Sequence, residues 1–319
     1  MEKLYTFKRM LFAVILMMMS ALSWAYDFEV DGIYYKVNKD RASVSVTYQN
    51  NYYPYYDSGN KPSGDIVIPS AVSYNDVEYS VTGIKDYAFI YCYDLTSIFL
   101  PESVTSIGIG AFSYCFSLAS ITVAANNPAY DSREGCNAII ETASNTLIWG
   151  CHRTIIPESV TSIGDYAFNA SSFLISLSIP ESVTSIGKDA FSYCESLTFI
   201  SIPEGVTSIG DYAFEGCSSL TSVVCYAEKV PYLGIYVFSS VPTGKAALYV
   251  PESALEGYKA ATQWNSFRII LPLEEIPLGI SNIEADDSNA PYYTLDGKRV
   301  DNPTQKGIYI RNGKKVMIK

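Results

Sequence analysis

Apolar residues recur along this chain in one repeated phrase, Val-Thr-x-Ile followed five residues later by Phe. The copies occupy residues 81–84 with Phe89, 104–107 with Phe112, 160–163 with Phe168, 183–186 with Phe191 and 206–209 with Phe214. Successive phenylalanines lie 23, 56, 23 and 23 residues apart, so the long interval holds one register step plus 33 extra residues. A fixed period of this size predicts coils stacked into a solenoid, in which no coil buries its apolar face without neighbours.

The unit at residues 95–115 shows how one coil is built. Ile98 and Leu100 alternate with polar positions, the period of a strand with one buried face, and Pro101 lacks the amide that would prolong it. After a turn, Val104, Ile107, Ala111, Phe112 and Cys115 return apolar groups to the interior, with Gly108 expected at a sharp bend. A strand on one side and a loose turn on the other make this a leucine-rich repeat unit, and the chain a mostly β leucine-rich repeat solenoid.

The pattern L-x-x-I-x-I-P-x-x-V-T-x-I-G-x-x-A-F-x-x-C resembles the 23-residue repeat of the BspA-like bacterial surface proteins. It matches residues 95–115 and 174–217 closely and about 64–273 in looser form; Ser171 departs from it at the cysteine position. The resemblance implies adhesion, to host matrix proteins such as fibronectin and fibrinogen or to other bacteria.

Residues 1–25 read as an export leader: Lys3, Lys8 and Arg9 precede an apolar run at residues 10–19, and Ser23-Trp24-Ala25 is a small-x-small cleavage site. The run is too short to span a bilayer, so the mature chain is expected outside the cytoplasm with no membrane span. Residues 26–62 form a β cap, with a hairpin turn at Asp31-Gly32 and a further strand at residues 44–48. The tyrosine-rich residues 52–56 either pack over the first coil or form an exposed patch. The solenoid proper spans residues 63–273. It includes a hairpin through Asn75-Asp76, an expanded repeat at about 124–156 with a second hairpin around Ser144-Asn145, and a strand-helix cap at about 246–273. Helix is expected over residues 252–262, with Trp264, Phe267 and Ile270 closing the open end.

Residues 274–291 read as a linker, and residues 292–319 alternate apolar and polar positions around Asp-Gly and Asn-Gly turns, as in a short antiparallel module. This last segment resembles the end of the type IX sorting domains of Bacteroidetes. A plain terminal hairpin is the other reading.

Charge narrows the partners. The net charge is −11; loss of residues 1–25, three cations and Glu2, gives −13. Residues 295–319 carry seven cations against Asp296 and Asp301, which leaves −18 on residues 26–294. Such a body disfavours nucleic acid and anionic lipid. Of the seven cysteines, Cys92, Cys115, Cys194 and Cys217 each follow the repeat phenylalanine by three residues. They read as buried thiols, with bridges Cys92–Cys115 and Cys194–Cys217 the alternative, Cys136–Cys151 a possible pair and Cys225 left over.

Catalytic chemistry finds little support. One histidine, His152, sits beside Cys151 in a predicted turn, and adjacency in sequence does not place an imidazole against a thiol. No cofactor or metal site is expected; the Pro-Glu series Glu102, Glu158, Glu181 and Glu204 reads as solvated turn residues. Binding is expected instead on the outward strand positions Ser97, Phe99, Ser120, Thr122, Ser176, Ser178, Phe199, Ser201, Ser222 and Val224, a hydroxyl-rich strip with two aromatic rings. A second candidate surface is the insertion, through Arg133, Trp149, His152 and Arg153. The reading is therefore a monomeric, exported, non-enzymatic adhesin for a protein on a host or bacterial surface. An envelope glycan binder or scaffold is the alternative, and a hydrolase the least favoured.

Overall fold

The computed structural model describes residues 25–276, except 54 and 58, and the strand residues 292–293, 299–300, 307–311 and 314–318. The expected leader, up to residue 24, and residues 277–291 of the expected linker lie outside the described residues.

Each coil is held to its neighbours on three sides. The first side is the L-x-x-I-x-I strand. Gly64–Val67, Leu95–Leu100 and Ser120–Val123 run parallel, with Ile66, Ile98 and Ile121 in one buried or half-buried row. Ser176–Leu177, Phe199–Ile202, Ser222–Cys225, Ala247–Val250 and Ile269–Pro272 form a second parallel ladder. The outward strand positions expected to make one strip are therefore divided: the strand face consists of two separate sheets, with the expanded repeat between them.

The second side is built by the Val-Thr-x-Ile phrase, which sequence reading placed after a turn and which is strand. Ser106–Ile107 pairs with Val77–Ile84; farther on, Thr146–Gly150, Ser162–Ile163, Ser185–Ile186, Ser208–Ile209 and Tyr232–Leu233 stack in parallel. Two residues per coil suffice because register, not length, supplies the pairing: Ser162, Ser185 and Ser208 face one another across successive steps.

The third side is the turn carrying Ala-Phe. Here the Phe amide of one coil donates to a carbonyl of the next, Phe89 to Ala111 at 2.7 Å, Phe191 to Ala213 at 2.8 Å and Phe214 to Val237 at 3.0 Å. Inside it the rings stack, Phe168 on Phe191 and Phe191 on Phe214 both at 5.2 Å and within 3° of parallel. Phe89 stacks on Phe112, and the row continues through Trp149 at 5.6 Å.

Gly108 has a different role from the bend expected of it: its φ is not positive, and what matters is the missing side chain. A Cβ there would lie 2.2 Å from the Asp86 amide nitrogen of the preceding coil, and one at Gly187 would lie 2.6 Å from that of Asp165. The first coil has Lys85 at this position, exposed to solvent.

Caps close both ends. Phe28–Val30, Ile33–Val37 and Ser43–Thr47 form an antiparallel meander whose last strand runs parallel to Val77–Ile84. At the other end the helical stretch is shorter than expected, a 3-10 turn at Glu252–Ala254 followed by the α-helix Leu255–Ala260. Trp264 and Phe267 are buried against Phe238, at 5.3 and 4.9 Å, and Trp264 Nε1 donates to the Pro231 carbonyl at 3.1 Å. The terminal strands Tyr292–Tyr293, Arg299–Val300, Gly307–Arg311 and Lys314–Ile318 form an antiparallel sheet.

Candidate functional site

The strand face is open at its N-terminal sheet. Ser97 lies between Asp65 and Ser120, and Phe99 between Val67 and Thr122, so two parallel rows run across the coils. Ser97 and Thr96 both donate to Asp65 Oδ1, at 2.6 and 2.8 Å, and these bonds hold the carboxyl below its ordinary pKa. Val67 and Thr122 are exposed and Phe99 is half-buried. Sequence reading missed Asp65 and Val67 because the first coil is widened by the hairpin that follows it.

The second sheet is partly covered by the chain itself. Ser176, Phe199 and Ser222 share one row; Ser178 is exposed and Ser201 half-buried. Val224 is fully buried, a correction to its placement on the binding strip. Residues 273–276, just past the strand Ile269–Pro272, lie against this face, where Val224, Tyr226, Ala247, Tyr249 and Ile276 form an apolar cluster with Leu271, Leu273 and Phe199 against it. Phe199 is thus half-occupied by an intramolecular partner. The apolar residues Leu273 and Ile276 just beyond the last strand were the available signal.

The insertion does not bring its four candidates together. Trp149 is corrected to the core: it is buried, extending the phenylalanine row beyond Phe112. Arg133 grips Asp131 through two hydrogen bonds of 2.8 and 2.6 Å and reaches Asn145 at 2.9 Å and Ser159 at 3.2 Å, so it fastens the hairpin to the next coil. Burial alone would raise the Asp131 carboxyl, but the Arg133 bonds hold it below its ordinary value. His152 packs edge-on against exposed Phe173 at 6.0 Å, and Arg153 is exposed. Burial and the Arg153 charge hold the imidazole below its ordinary pKa. The neighbouring Cys151 thiol turns toward the Asn137 carbonyl at 3.7 Å, and burial pushes its pKa up, the reverse of what a nucleophilic thiolate needs. Among the described residues no group of three or more His, Cys, Asp or Glu is placed to hold a metal, and no helix is long and apolar enough to cross a membrane.

A third surface, which sequence reading only touched at residues 52–56, lies on the turn side. Tyr56 is buried in the cap, whereas Tyr52 and Tyr53 are 59% and 71% exposed. Tyr53 meets Tyr91 at 5.8 Å; Tyr91 meets Tyr114 at 4.9 Å; Tyr93 stacks on Phe116 at 5.2 Å; and Tyr114 reaches Tyr193 at 6.4 Å. The result is a continuous aromatic stripe across the coils.

Three stacked sides, a buried phenylalanine row and capped ends define a leucine-rich repeat solenoid. The chain belongs to the BspA type leucine rich repeat family, whose model matches residues 70–133 and 150–254 in six copies, just over half of the 319 residues. The unmatched stretch between them contains most of the inserted hairpin.

Among solved structures it is similar to a leucine-rich repeat protein from Bacteroides ovatus, with 28% identity and a TM-score of 0.44, over 72% of this chain and 60% of that one. A leucine-rich repeat protein from Eubacterium ventriosum is similar at 18% identity and a TM-score of 0.43, over 90% and 98% of the two chains. A leucine rich cell surface protein from Faecalibacterium prausnitzii is similar at 18% identity and a TM-score of 0.32, over 77% and 94%. The chain thus spans 60% of the length of the Bacteroides ovatus protein. No curated protein matches it.

Proposed function

We propose that this chain is an exported, non-enzymatic adhesin that binds a protein on a host or bacterial surface through the open part of its strand face. One observation carries the reading: the rows Asp65-Ser97-Ser120 and Val67-Phe99-Thr122 present an aromatic ring, hydroxyls and one carboxylate on a backbone fixed by ladder hydrogen bonds. Rigid presentation lowers the ordering cost of binding, which favours this face over the loops. Family membership supports a surface role, and the leader expected at residues 1–25 supports export.

The test is an array bearing matrix proteins and polysaccharides, probed with the mature chain and with Phe99→Ser. Binding to one or more proteins, weakened at least tenfold by the substitution, is the expected result. Signal only on polysaccharides would replace the reading with that of a glycan binder, since Phe99 beside hydroxyls also suits a sugar ring. The sorting role proposed for residues 292–319 is tested by fractionating cells that make the truncated chain. Surface display without those residues removes it.

A further inference from the structure

The turn-side stripe has a backbone feature that its packing alone does not require. Tyr91, Tyr114 and Tyr193 occupy the same position in their coils and hold φ of 61°, 61° and 58°, a left-handed conformation disfavoured for bulky residues. The equivalent positions in other coils are Ala170, Gly216 and Ser240, at φ of 57°, 70° and 59°. The fold therefore accepts small residues here, and glycine would relieve the conformation. Tyrosine is retained where the rings join into a surface; Tyr193, although its ring covers Gly216, stays 39% exposed.

The structure also contains an example of what those rings attract. The Lys61 ammonium sits over the Tyr93 ring, 4.3 Å from its centroid, and 6.0 Å from that of Tyr91. A cation over an aromatic face is held by the ring quadrupole. Farther along the stripe acidic residues flank the rings: the Tyr193 amide donates to the Glu215 carbonyl at 2.6 Å, and Glu195 follows Tyr193 by two residues. Burial first, then neighbouring charges including Asp189 and Glu195, push the Tyr114 phenol up to about 12, and Glu215 is the chief cause of the upward shift at Tyr193. Aromatic faces flanked by acidic residues, on a body of net charge −18 over residues 26–294, complement a positive partner.

We infer that the stripe from Tyr91 to Tyr193 is a docking surface for a basic segment of a partner protein, taking arginine side chains between Tyr114, Tyr193 and their flanking carboxylates, with Lys61 occupying the equivalent place at the other end. Arginine is preferred to lysine because its planar guanidinium stacks on a ring while its edge still meets a carboxylate. The inference rests on the protein-binding reading above and adds to it a second face with a charge preference.

The probe is a labelled nona-arginine peptide, titrated against the mature chain, with nona-lysine and a soluble neutral β-glucan in parallel. An acidic protein attracts any polycation, so the deciding variants leave every carboxylate in place. Tyr114→Ser with Tyr193→Ser is expected to weaken nona-arginine binding at least tenfold. Tyr114→Phe with Tyr193→Phe, which keeps the rings, and Phe99→Ser on the strand face are each expected to change it less than twofold. Lys61→Ala, which vacates Tyr91 and Tyr93, is expected to tighten binding severalfold, and nona-lysine to bind more weakly than nona-arginine. Serine already stands at this position in the coil of Ser240, and far-UV circular dichroism checks that the pair folds. Equal binding by the serine pair, or loss of β-glucan binding in place of peptide binding, overturns the inference; should the pair not fold, absence of a gain in Lys61→Ala does so. Failure of the Phe99→Ser array with this titration intact would overturn the strand-face reading alone.

Discussion

The Cys217 thiol donates to the Phe191 carbonyl oxygen at 3.2 Å, across the step from one coil to the one before it. Cys194 makes the same bond to Phe168 and Cys115 to Phe89, both at 3.1 Å. The column of small residues thus also satisfies turn carbonyls. All seven cysteines are free thiols in the structure, Cys115 half-buried and the rest buried. Burial pushes Cys217 and Cys92 up to about 12, and Cys136 and Cys225 up to about 11. A thiol reagent applied to the native chain at pH 8 is expected to label almost none of them, and after denaturation to label seven. Fast native labelling, or two equivalents missing after denaturation, would contradict the free-thiol column.

The same shifts set an alkaline limit. The ordinary thiol value is 9.0, and below it folded and unfolded chains both keep the proton, so stability is flat with respect to these groups. As pH rises above about 9 the unfolded chain loses thiol protons that the folded chain keeps until about 11 to 12. The unfolded state then binds fewer protons and stability falls, by about 1.4 kcal/mol per pH unit for each such thiol. Urea midpoints are expected to hold between pH 7 and 8.5 and to drop steeply by pH 10.5. A level profile to pH 10.5 would refute this account.

Phe191 is an inner member of the longest ring stack, Phe168-Phe191-Phe214-Phe238, fully buried and parallel to Phe168 and Phe214. Phe191→Ala is expected to cost about 3 to 5 kcal/mol, because transfer energy and a cavity between rigid coils add together. Equilibrium urea unfolding measures it; a loss below about 1 kcal/mol would mean that the coils collapse around the gap.

Gly187 tests the close approach between coils. Its Cβ would meet the Asp165 backbone rather than a flexible side-chain end, so Gly187→Ala is expected to destabilise by about 1 to 3 kcal/mol. Lys85→Ala, at the matching position of the first coil, should stay within about 0.5 kcal/mol of the parent. Equal effects at the two sites would contradict the crowding argument.

What the sequence disclosed is what repeats locally. Phenylalanine spacing reveals the internal row, and the alternation at Ile98 and Leu100 reveals the first strand. Strands of two residues such as Ser185–Ile186 escape because a periodicity needs more than one period to register; they exist through pairing with the next coil. Trp149 stood close to His152 and Arg153 and read as a surface residue, although its ring extends the phenylalanine row beyond Phe112. Val224 looked outward correctly from its own strand, but residues 273–276 return over it from beyond the last strand, a contact no local pattern encodes. The stripe escaped for a similar reason: Tyr114 and Tyr193 lie 79 residues apart, and only the stacking of coils brings their rings together.

Matching edges make the coils interchangeable. Since Ser162 pairs with Ser185 in the same register as Ser185 with Ser208, a chain lacking residues 183–205 would bring together two backbones already shaped for each other. Duplicating that stretch would be equally silent to both ends. Selection can therefore alter the reach of this molecule in whole steps, lengthening or shortening the face it presents while leaving the fold undisturbed.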